Sequence, residues 1–372
     1  MSRVIDGAIK EWGDRISYGT VKGRKGNIGG GKALFKSKTA QKRPRGRLVA
    51  TVRKAPEVMV KITTGRKDPA TGKPRPTMTN MRSIKAHFDY ISRNGEVEVE
   101  DDRGEIYSGV ADVREVHDNW RDEGYRIRPT GGTKREAFNI ILSMPPGTDR
   151  ASVKNAARAF ASEMFDRHQY VFAAHEDEKH PHVHLAVKAV DRDGVRLNPR
   201  KADLQDWREI FAEKMREQGI DANATPRQIR GVVRKAEKQA VRHIDGDYLN
   251  GKRAAPSRVS KAQRHDAEQE VKGHSQRENP AQDKISATRK RVQREYGDLA
   301  RVLAAGGADD RALAVDIVRF VQAMPPQETR HQALVRAAKG EGVALAVGQQ
   351  RPAIGRAPEQ QQTPQDRNGR DR

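Results

Sequence analysis

The segment HEDEKHPHVH, residues 175–184, constrains the fold of this chain more than any other stretch. It contains four of the eleven histidines. It connects two apolar runs and overlaps the end of the first, YVFAAHED (170–177), and the start of the second, HVHLAVKAVD (182–191). Both runs have the alternation and the aromatic and β-branched content of strands, and the polar link between them is short. The sequence therefore predicts two antiparallel strands with a group of histidines where they meet.

The spacing of these histidines predicts a metal site. Side chains alternate between the two faces of a strand, so His182 and His184 point to the same face, and the short turn brings His175 beside His182. Three converging imidazoles are typical of an open catalytic metal site. The chain contains no cysteine, which excludes disulfides and thiolate ligands. We expect Asp177 to orient a ligating histidine and His180 to line the site.

The pattern along the chain predicts an α+β fold in which helices cover an antiparallel sheet. Strands are predicted near 58–65, 138–147 and in the two runs above, with a hairpin over 96–107. Helices are predicted over 83–95 and 149–166, and through Leu204 to Met215. We expect four regions, which are a basic flexible arm (1–55), a globular domain (56–222), a basic, partly helical accessory region (223–346) and a disordered tail (347–372).

The charge of the chain predicts a polyanionic partner. Lys and Arg number 72 against 50 Asp and Glu, a formal net charge of +22. Nucleic acid is the first candidate, since cations that neutralise phosphates release counterions, and an anionic membrane surface is the second. No apolar run approaches the length of a membrane span, and the first residues lack the apolar region typical of a signal peptide. These features favour a cytoplasmic location.

A second candidate group lies on the predicted helix SIKAHFDYISRNG, residues 83–95. Its apolar stripe consists of Ile84, Phe88 and Ile91. Tyr90 lies about 120° around the helix from that stripe, so it belongs to neither the core nor the fully solvated side. His87, three residues earlier, shares its side of the helix, and Arg93 at the helix end can contact a phosphate.

Taken together, the two segments resemble a known family. H-F-x-Y-I-S-R-x-G (87–95) followed downstream by H-x-D-x-x-H-P-H-x-H (175–184) is similar to the plasmid relaxases, or mobilisation nucleases. The nearest resemblance is to the branch with the border-nicking endonucleases of T-DNA transfer, within the histidine–hydrophobe–histidine endonucleases. It covers residues 56–220. A third stretch, FNIILSMPPG (138–147), resembles the family's middle motif and aligns Ser143 with a serine that helps to hold DNA.

The resemblance implies a relaxase-like sandwich and a set of roles. Tyr90 would be the nucleophile, Asp177 would orient His175 or help to activate the tyrosine, and His180 would line the site. His175, His182 and His184 would ligate a divalent cation, Mg²⁺ or Mn²⁺ in the first place, with Zn²⁺ also accepted. The attack would leave a 5′-phosphotyrosyl link and a free 3′-hydroxyl.

The resemblance also implies partners. The substrate would be single-stranded or melted DNA at a transfer origin in a bacterial cytoplasm, with possible export to a recipient cell. Accessory nicking proteins and the coupling protein of a type IV secretion channel would be the protein partners. Nothing in the sequence implies insertion into a membrane.

Three other functions remain open at this point. HPHVHLA (180–186) also resembles the motif of histidine-triad nucleotide hydrolases if proline counts as apolar. Rolling-circle replication initiators share the relaxase chemistry. A basic DNA-binding scaffold without catalytic activity would account for the charge alone.

Overall fold

The computed structural model describes residues 2–18, 44–65, 77–127, 134–274 and 278–340. The chain divides into two compact units. The first comprises residues 1–233 and 279–327, and the second comprises residues 234–278 and 328–372. Tyr90, His175, His182 and His184 belong to the first unit.

The centre of the first unit is a six-stranded sheet in the order β1-β4-β6-β5-β2-β3. Every neighbouring pair is antiparallel. The strands are β1 (Met59–Ile62), β2 (Val99–Asp101), β3 (Ile106–Tyr107), β4 (Ala137–Ser143), β5 (Tyr170–His175) and β6 (His182–Lys188). The predicted α+β class, with helices covering an antiparallel sheet, is confirmed.

The helices of the first unit are α1 (Ser2–Tyr18), α2 (Pro44–Val52), α3 (Met81–Ile91), α4 (Gly109–Asp122), α5 (Arg150–Met164), α6 (Lys201–Glu217), α9 (Gln282–Ala304) and α10 (Ala308–Gln322). The helices of the second unit are α7 (Gln239–Leu249), α8 (Arg258–Val271) and α11 (Arg330–Ala338). Among the described residues, no helix is both long and apolar enough to cross a membrane.

One face of the sheet packs against α5 and α6. Alternate residues of β4 and β6 point to this side, and they form a single core with aromatic side chains of the two helices. Its largest fully buried members include Phe160, Phe172, Trp207 and Phe211. Each such side chain contributes about 1.5–3 kcal/mol by leaving water. This core fixes the register of the central strands and therefore the positions of the histidines on the opposite face.

The other face packs against α3 and α4, and it carries the candidate site. The rings of Phe88 on α3 and Trp120 on α4 are 4.9 Å apart, edge to face. Helix α3 begins at a capping box, in which Asn80 accepts from the backbone N–H of Ser83 and the Ser83 hydroxyl accepts from the backbone N–H of Asn80. The helix therefore begins at Met81, two residues before the predicted start at residue 83.

The expectation of a flexible arm over residues 1–55 is wrong for two helices. Helices α1 and α2 share a core with α9 and α10, in which Ile9, Trp12 and Leu48 are almost completely buried. The rings of Trp12 and Tyr296 are 5.3 Å apart. Burial of this apolar stripe explains why these segments are ordered despite their basic surroundings. Residues 19–43 lie outside the described residues.

Residues 223–346 contribute to both units. Helices α9 and α10 join the first unit, whereas α7, α8 and α11 form the second. The proposed limits of a nuclease domain at 56 and 222, and of an accessory region beyond it, stay predictions. The tail at 347–372 lies outside the described residues.

Candidate active site

The structure brings the three predicted ligands together at the ends of β5 and β6. His175 pairs directly with His182 in the register of the two strands, and His184 follows on the same face of β6. The ring centroids are 5.1 Å apart for His175 and His182, 4.6 Å for His175 and His184, and 5.2 Å for His182 and His184. One nitrogen from each ring lies within 4.8 Å of the other two. This spacing allows all three to contact one cation.

Hydrogen bonds fix the tautomers of His182 and His184. The Nδ1 of His182 is 2.9 Å from the carbonyl oxygen of His180, and the Nδ1 of His184 is 3.4 Å from the Oδ1 of Asn139. A carbonyl oxygen can only accept, so each Nδ1 carries the proton and each Nε2 keeps its lone pair. Outer contacts of this kind orient the imidazoles of metal sites.

His175 has the opposite tautomer. Its Nε2 is 2.8 Å from the carbonyl oxygen of Ile91, at the end of α3, and must donate to it. The lone pair is therefore on Nδ1, which is 3.2 Å from the Nη2 of Arg93. The bond to Ile91 also ties the helix that carries Tyr90 to the strand that carries His175.

Burial favours the neutral form of His175 and His184. Burial, followed by the positive charges that His175, His182, His87 and Arg93 carry or acquire, lowers the pKa of His184 to about 3. Burial also lowers the pKa of His175. A neutral imidazole is the form that binds a metal ion. The donor set of three oriented imidazoles thus fits a divalent cation.

Tyr90 lies over the histidines on the α3 side of the sheet. Its side chain is 52% exposed, which leaves the hydroxyl accessible to a large substrate. The centroid of its ring is 5.5 Å from that of His184 and 6.2 Å from that of His175. The nucleophile and the ligands, predicted from two separate motifs, are therefore neighbours in space.

Arg93 connects the tyrosine, the histidine and the carboxylate. Its Nη2 is 2.7 Å from the Oδ2 of Asp177, and its guanidinium carbon is 5.2 Å from the centroid of the Tyr90 ring. The sequence predicted a direct bond between Asp177 and His175. The structure instead has Asp177 accepting a hydrogen bond from Arg93. Asp177 lies exposed on the β5–β6 turn, where its carboxylate forms an ion pair with Arg93. The negative charge of Asp177 also acts directly on His175, where it partly offsets the lowering of the pKa by burial.

His87 lies behind Tyr90. Its ring centroid is 6.2 Å from that of Tyr90 and 6.4 Å from that of His184. Burial lowers the pKa of His87 to about 4, against a smaller raising effect of its hydrogen bond with Asn139. The predicted place of His87 beside the site agrees with these distances.

Ser143 and His180 lie at the margin of the histidine group. Ser143 is opposite His182 in the register of β4 and β6, and its buried hydroxyl donates to the carbonyl of Met144 at 3.4 Å. His180 is exposed on the turn, with its Nδ1 3.4 Å from the same carbonyl. Both residues are near the site, and a role in holding DNA stays a prediction for each.

Asn139 is a site residue that the sequence reasoning missed. It is buried in β4 and contacts His184, and it also forms a hydrogen bond with His87. A polar residue in the apolar run FNIILS, with the same parity as Ser143, was the available signal. Strand periodicity places both side chains on the histidine face.

Comparison with known proteins agrees with this geometry. Residues 90–220 match the family described as "Relaxase: MobA/VirD2-like, nuclease domain". The matched segment contains Tyr90 and the three histidines. The resemblance inferred from the motifs is therefore confirmed.

The similar curated proteins are all T-DNA border endonucleases VirD2. The protein from Rhizobium radiobacter is 28% identical, over 42% of this chain and 41% of the relative. Those from Agrobacterium fabrum and Rhizobium rhizogenes are each 25% identical, over 47% and 45% of this chain and 45% of each relative. The similarity thus spans less than half the length of these relatives.

Proposed function

We propose that this chain nicks one strand of DNA at a transfer origin by transesterification, with Tyr90 as the nucleophile. The observation that carries the proposal is the position of the Tyr90 ring, 5.5 Å from His184 on the face where three imidazoles converge. The relaxase nuclease family of residues 90–220 and the border endonuclease relatives support the same function.

In the proposed step, the phenolic oxygen of Tyr90 forms a bond to the phosphorus of a phosphodiester, and the bond from that phosphorus to the 3′-oxygen breaks. The phenolic proton passes to solvent, and the departing oxygen takes up a proton to become a 3′-hydroxyl. The product is a diester between Tyr90 and the 5′-phosphate, so no electrons are transferred and the step can reverse to religate the strand.

His175, His182 and His184 would hold the divalent cation, Mg²⁺, Mn²⁺ or Zn²⁺. When bound, such a cation polarises the phosphate and neutralises negative charge that develops on its oxygens. The chain itself orients the imidazoles, through the carbonyls of Ile91 and His180 and through Asn139. The carbonyl of Ile91 also holds the end of α3, and hence Tyr90, against His175.

The substrate is single-stranded or melted DNA, because the half-exposed hydroxyl of Tyr90 must reach a phosphorus along the line of the bond that breaks. The excess of Lys and Arg supplies phosphate affinity that falls as salt rises. In this proposal the nick begins conjugative or mobilisation transfer, with accessory nicking proteins and a secretion coupling protein as partners. Rolling-circle replication would use the same chemistry.

The test is formation of a covalent adduct. The full chain is incubated with Mn²⁺ and labelled single-stranded oligonucleotides from the origin region, and a protein–DNA band that resists denaturation is sought. We expect the band with wild type, its loss in Tyr90→Phe and its loss on addition of EDTA. Tyr125→Phe is the matched control, since Tyr125 is similarly exposed, at 45%, and should retain the band.

Three results would contradict the proposal. An adduct that persists in Tyr90→Phe would assign the nucleophile to another residue. Hydrolysis of free nucleotides that is insensitive to Tyr90→Phe, without any adduct, would support a histidine-triad hydrolase instead. DNA binding that gives no adduct and survives loss of both His182 and His184 would support a binding scaffold.

A further inference from the structure

The positively charged side chain of Arg93 lies beside His175, one of the three predicted metal ligands. His175 offers a single lone pair, on Nδ1, because its Nε2 donates to the carbonyl of Ile91 at 2.8 Å. The Nη2 of Arg93 lies 3.2 Å from that Nδ1. A guanidinium has donors only and stays charged, so this contact is a donation from Arg93 to the lone pair with which His175 would hold a cation.

Three further features hold Arg93 in this place. Its Nη2 donates to Asp177 at 2.7 Å, and its guanidinium lies over the Tyr90 ring at 5.2 Å. The backbone of Arg93 has a φ of 52° and that of Asn94 a φ of 56°, both in the left-handed region. Left-handed residues at a helix end reverse the direction of the chain, and here they turn the Arg93 side chain back toward the sheet.

We propose that Arg93 competes with the divalent cation for His175 and that a DNA phosphate removes it. The inference rests on the proposed function, because it assigns the phosphate to the scissile strand. Two donors cannot share one lone pair, and two positive charges at this separation repel. A phosphate offers the guanidinium two oxygens in place of one nitrogen and one carboxylate oxygen, which is a better match for its paired N–H groups.

The consequence is a coupling between binding of the DNA phosphate and binding of the divalent cation. The phosphate draws Arg93 away and so exposes the His175 lone pair, which increases the affinity for the cation. By linkage the cation increases the affinity for the phosphate by the same factor. The enzyme would then assemble its metal site fully only when DNA is present, and Arg93 is the residue that sets this order.

The first test measures Mn²⁺ binding to the full chain without DNA, by following the signal of free Mn²⁺ in electron paramagnetic resonance. Arg93→Met removes the competing donor and its charge while keeping the length of the side chain. We expect Arg93→Met to bind Mn²⁺ about tenfold more tightly than wild type. Arg103→Met is the matched control, because Arg103 also pairs with a carboxylate, Glu123, and should leave Mn²⁺ affinity unchanged.

The second test adds DNA. An oligothymidylate is included in the Mn²⁺ titration, with the oligonucleotide alone as a blank, and Tyr90→Phe serves as the background so that no strand is cut. We expect the oligonucleotide to increase the Mn²⁺ affinity of the Tyr90→Phe protein that retains Arg93. It should have little effect on the Mn²⁺ affinity of the double variant that also carries Arg93→Met.

Equal or weaker Mn²⁺ binding by Arg93→Met would overturn the competition. The same increase on adding DNA in both proteins would overturn the coupling. Neither measurement depends on an adduct, so failure here and failure of the nicking function are separate results. A protein that nicks DNA but shows no effect of Arg93→Met would keep its function and lose this inference.

Discussion

The low pKa of His184 makes a quantitative prediction about acid stability. His184 is 3% exposed, and burial lowers its pKa to about 3. An unfolded histidine has a pKa of about 6.5. As the pH falls below that value the unfolded chain takes up a proton that the folded chain does not, so the contribution to stability is complete above about pH 6.5 and is lost as the pH falls toward 3.

The size of the loss follows from the difference in pKa. Between about pH 6.5 and about pH 4.5 the unfolded state binds one proton that the folded state does not. Stability therefore falls by about 1.36 kcal/mol per pH unit, or about 2.7 kcal/mol over these two units. His184→Gln cannot take up this proton. The stability advantage of wild type over the variant should therefore shrink by about 2.7 kcal/mol over that range.

The assay is urea unfolding followed by tryptophan fluorescence at a series of pH values, with EDTA present throughout. Val183→Ala is the control, because Val183 is buried on the same strand and does not titrate. It should lower the free energy of unfolding by a similar amount at every pH. If the curves for wild type and His184→Gln run parallel from neutral pH to pH 4.5, burial does not hold this imidazole neutral.

Three other changes test separate parts of the structure. Asn139→Leu removes the acceptor for His184 and should lower Mn²⁺ affinity about 10- to 100-fold by paramagnetic resonance, whereas unchanged affinity would exclude an orienting role. Trp12→Ala should lower the free energy of unfolding by about 3–5 kcal/mol, and a loss below about 1 kcal/mol would instead fit a loosely attached α1. Gly95→Ala should destabilise by more than about 1 kcal/mol, because the φ is +91° and the added carbon would lie 2.5 Å from the backbone nitrogen of Val110. Gly104 has a similar φ but open space around it, so Gly104→Ala should lower the free energy of unfolding less than Gly95→Ala when both variants are compared by thermal unfolding.

Local patterns were enough to predict the centre of the fold. The alternation around the histidines gave β5 and β6, and the register of the two strands places His175 opposite His182, as the short turn required. The stripe of Ile84, Phe88 and Ile91 gave α3, and all three side chains are buried. These features were predictable because each depends on neighbours within a few residues, through the periods of strand and helix.

The remaining features depend on partners that are distant in the sequence. Ile5, Ile9 and Trp12 have helical spacing, but the core that orders them is completed by α9, far along the chain. The basic, glycine-rich stretch between α1 and α2 concealed this pattern. Similarly, the spacing of Asp177 from His175 suggested a direct bond, whereas the nearest donor to Asp177 is Arg93, which only the left-handed turn after α3 places there.

Strand β1 has a consequence for dividing this protein into smaller pieces. It covers the outer edge of β4, and it precedes Tyr90, where the family match begins. A fragment that starts at Tyr90 would sever α3 and leave the backbone N–H and C=O groups along that edge of β4 without a neighbour. Uncapped edges of this kind associate with other chains. A soluble minimal nuclease should therefore include β1, even though the family match begins only at Tyr90.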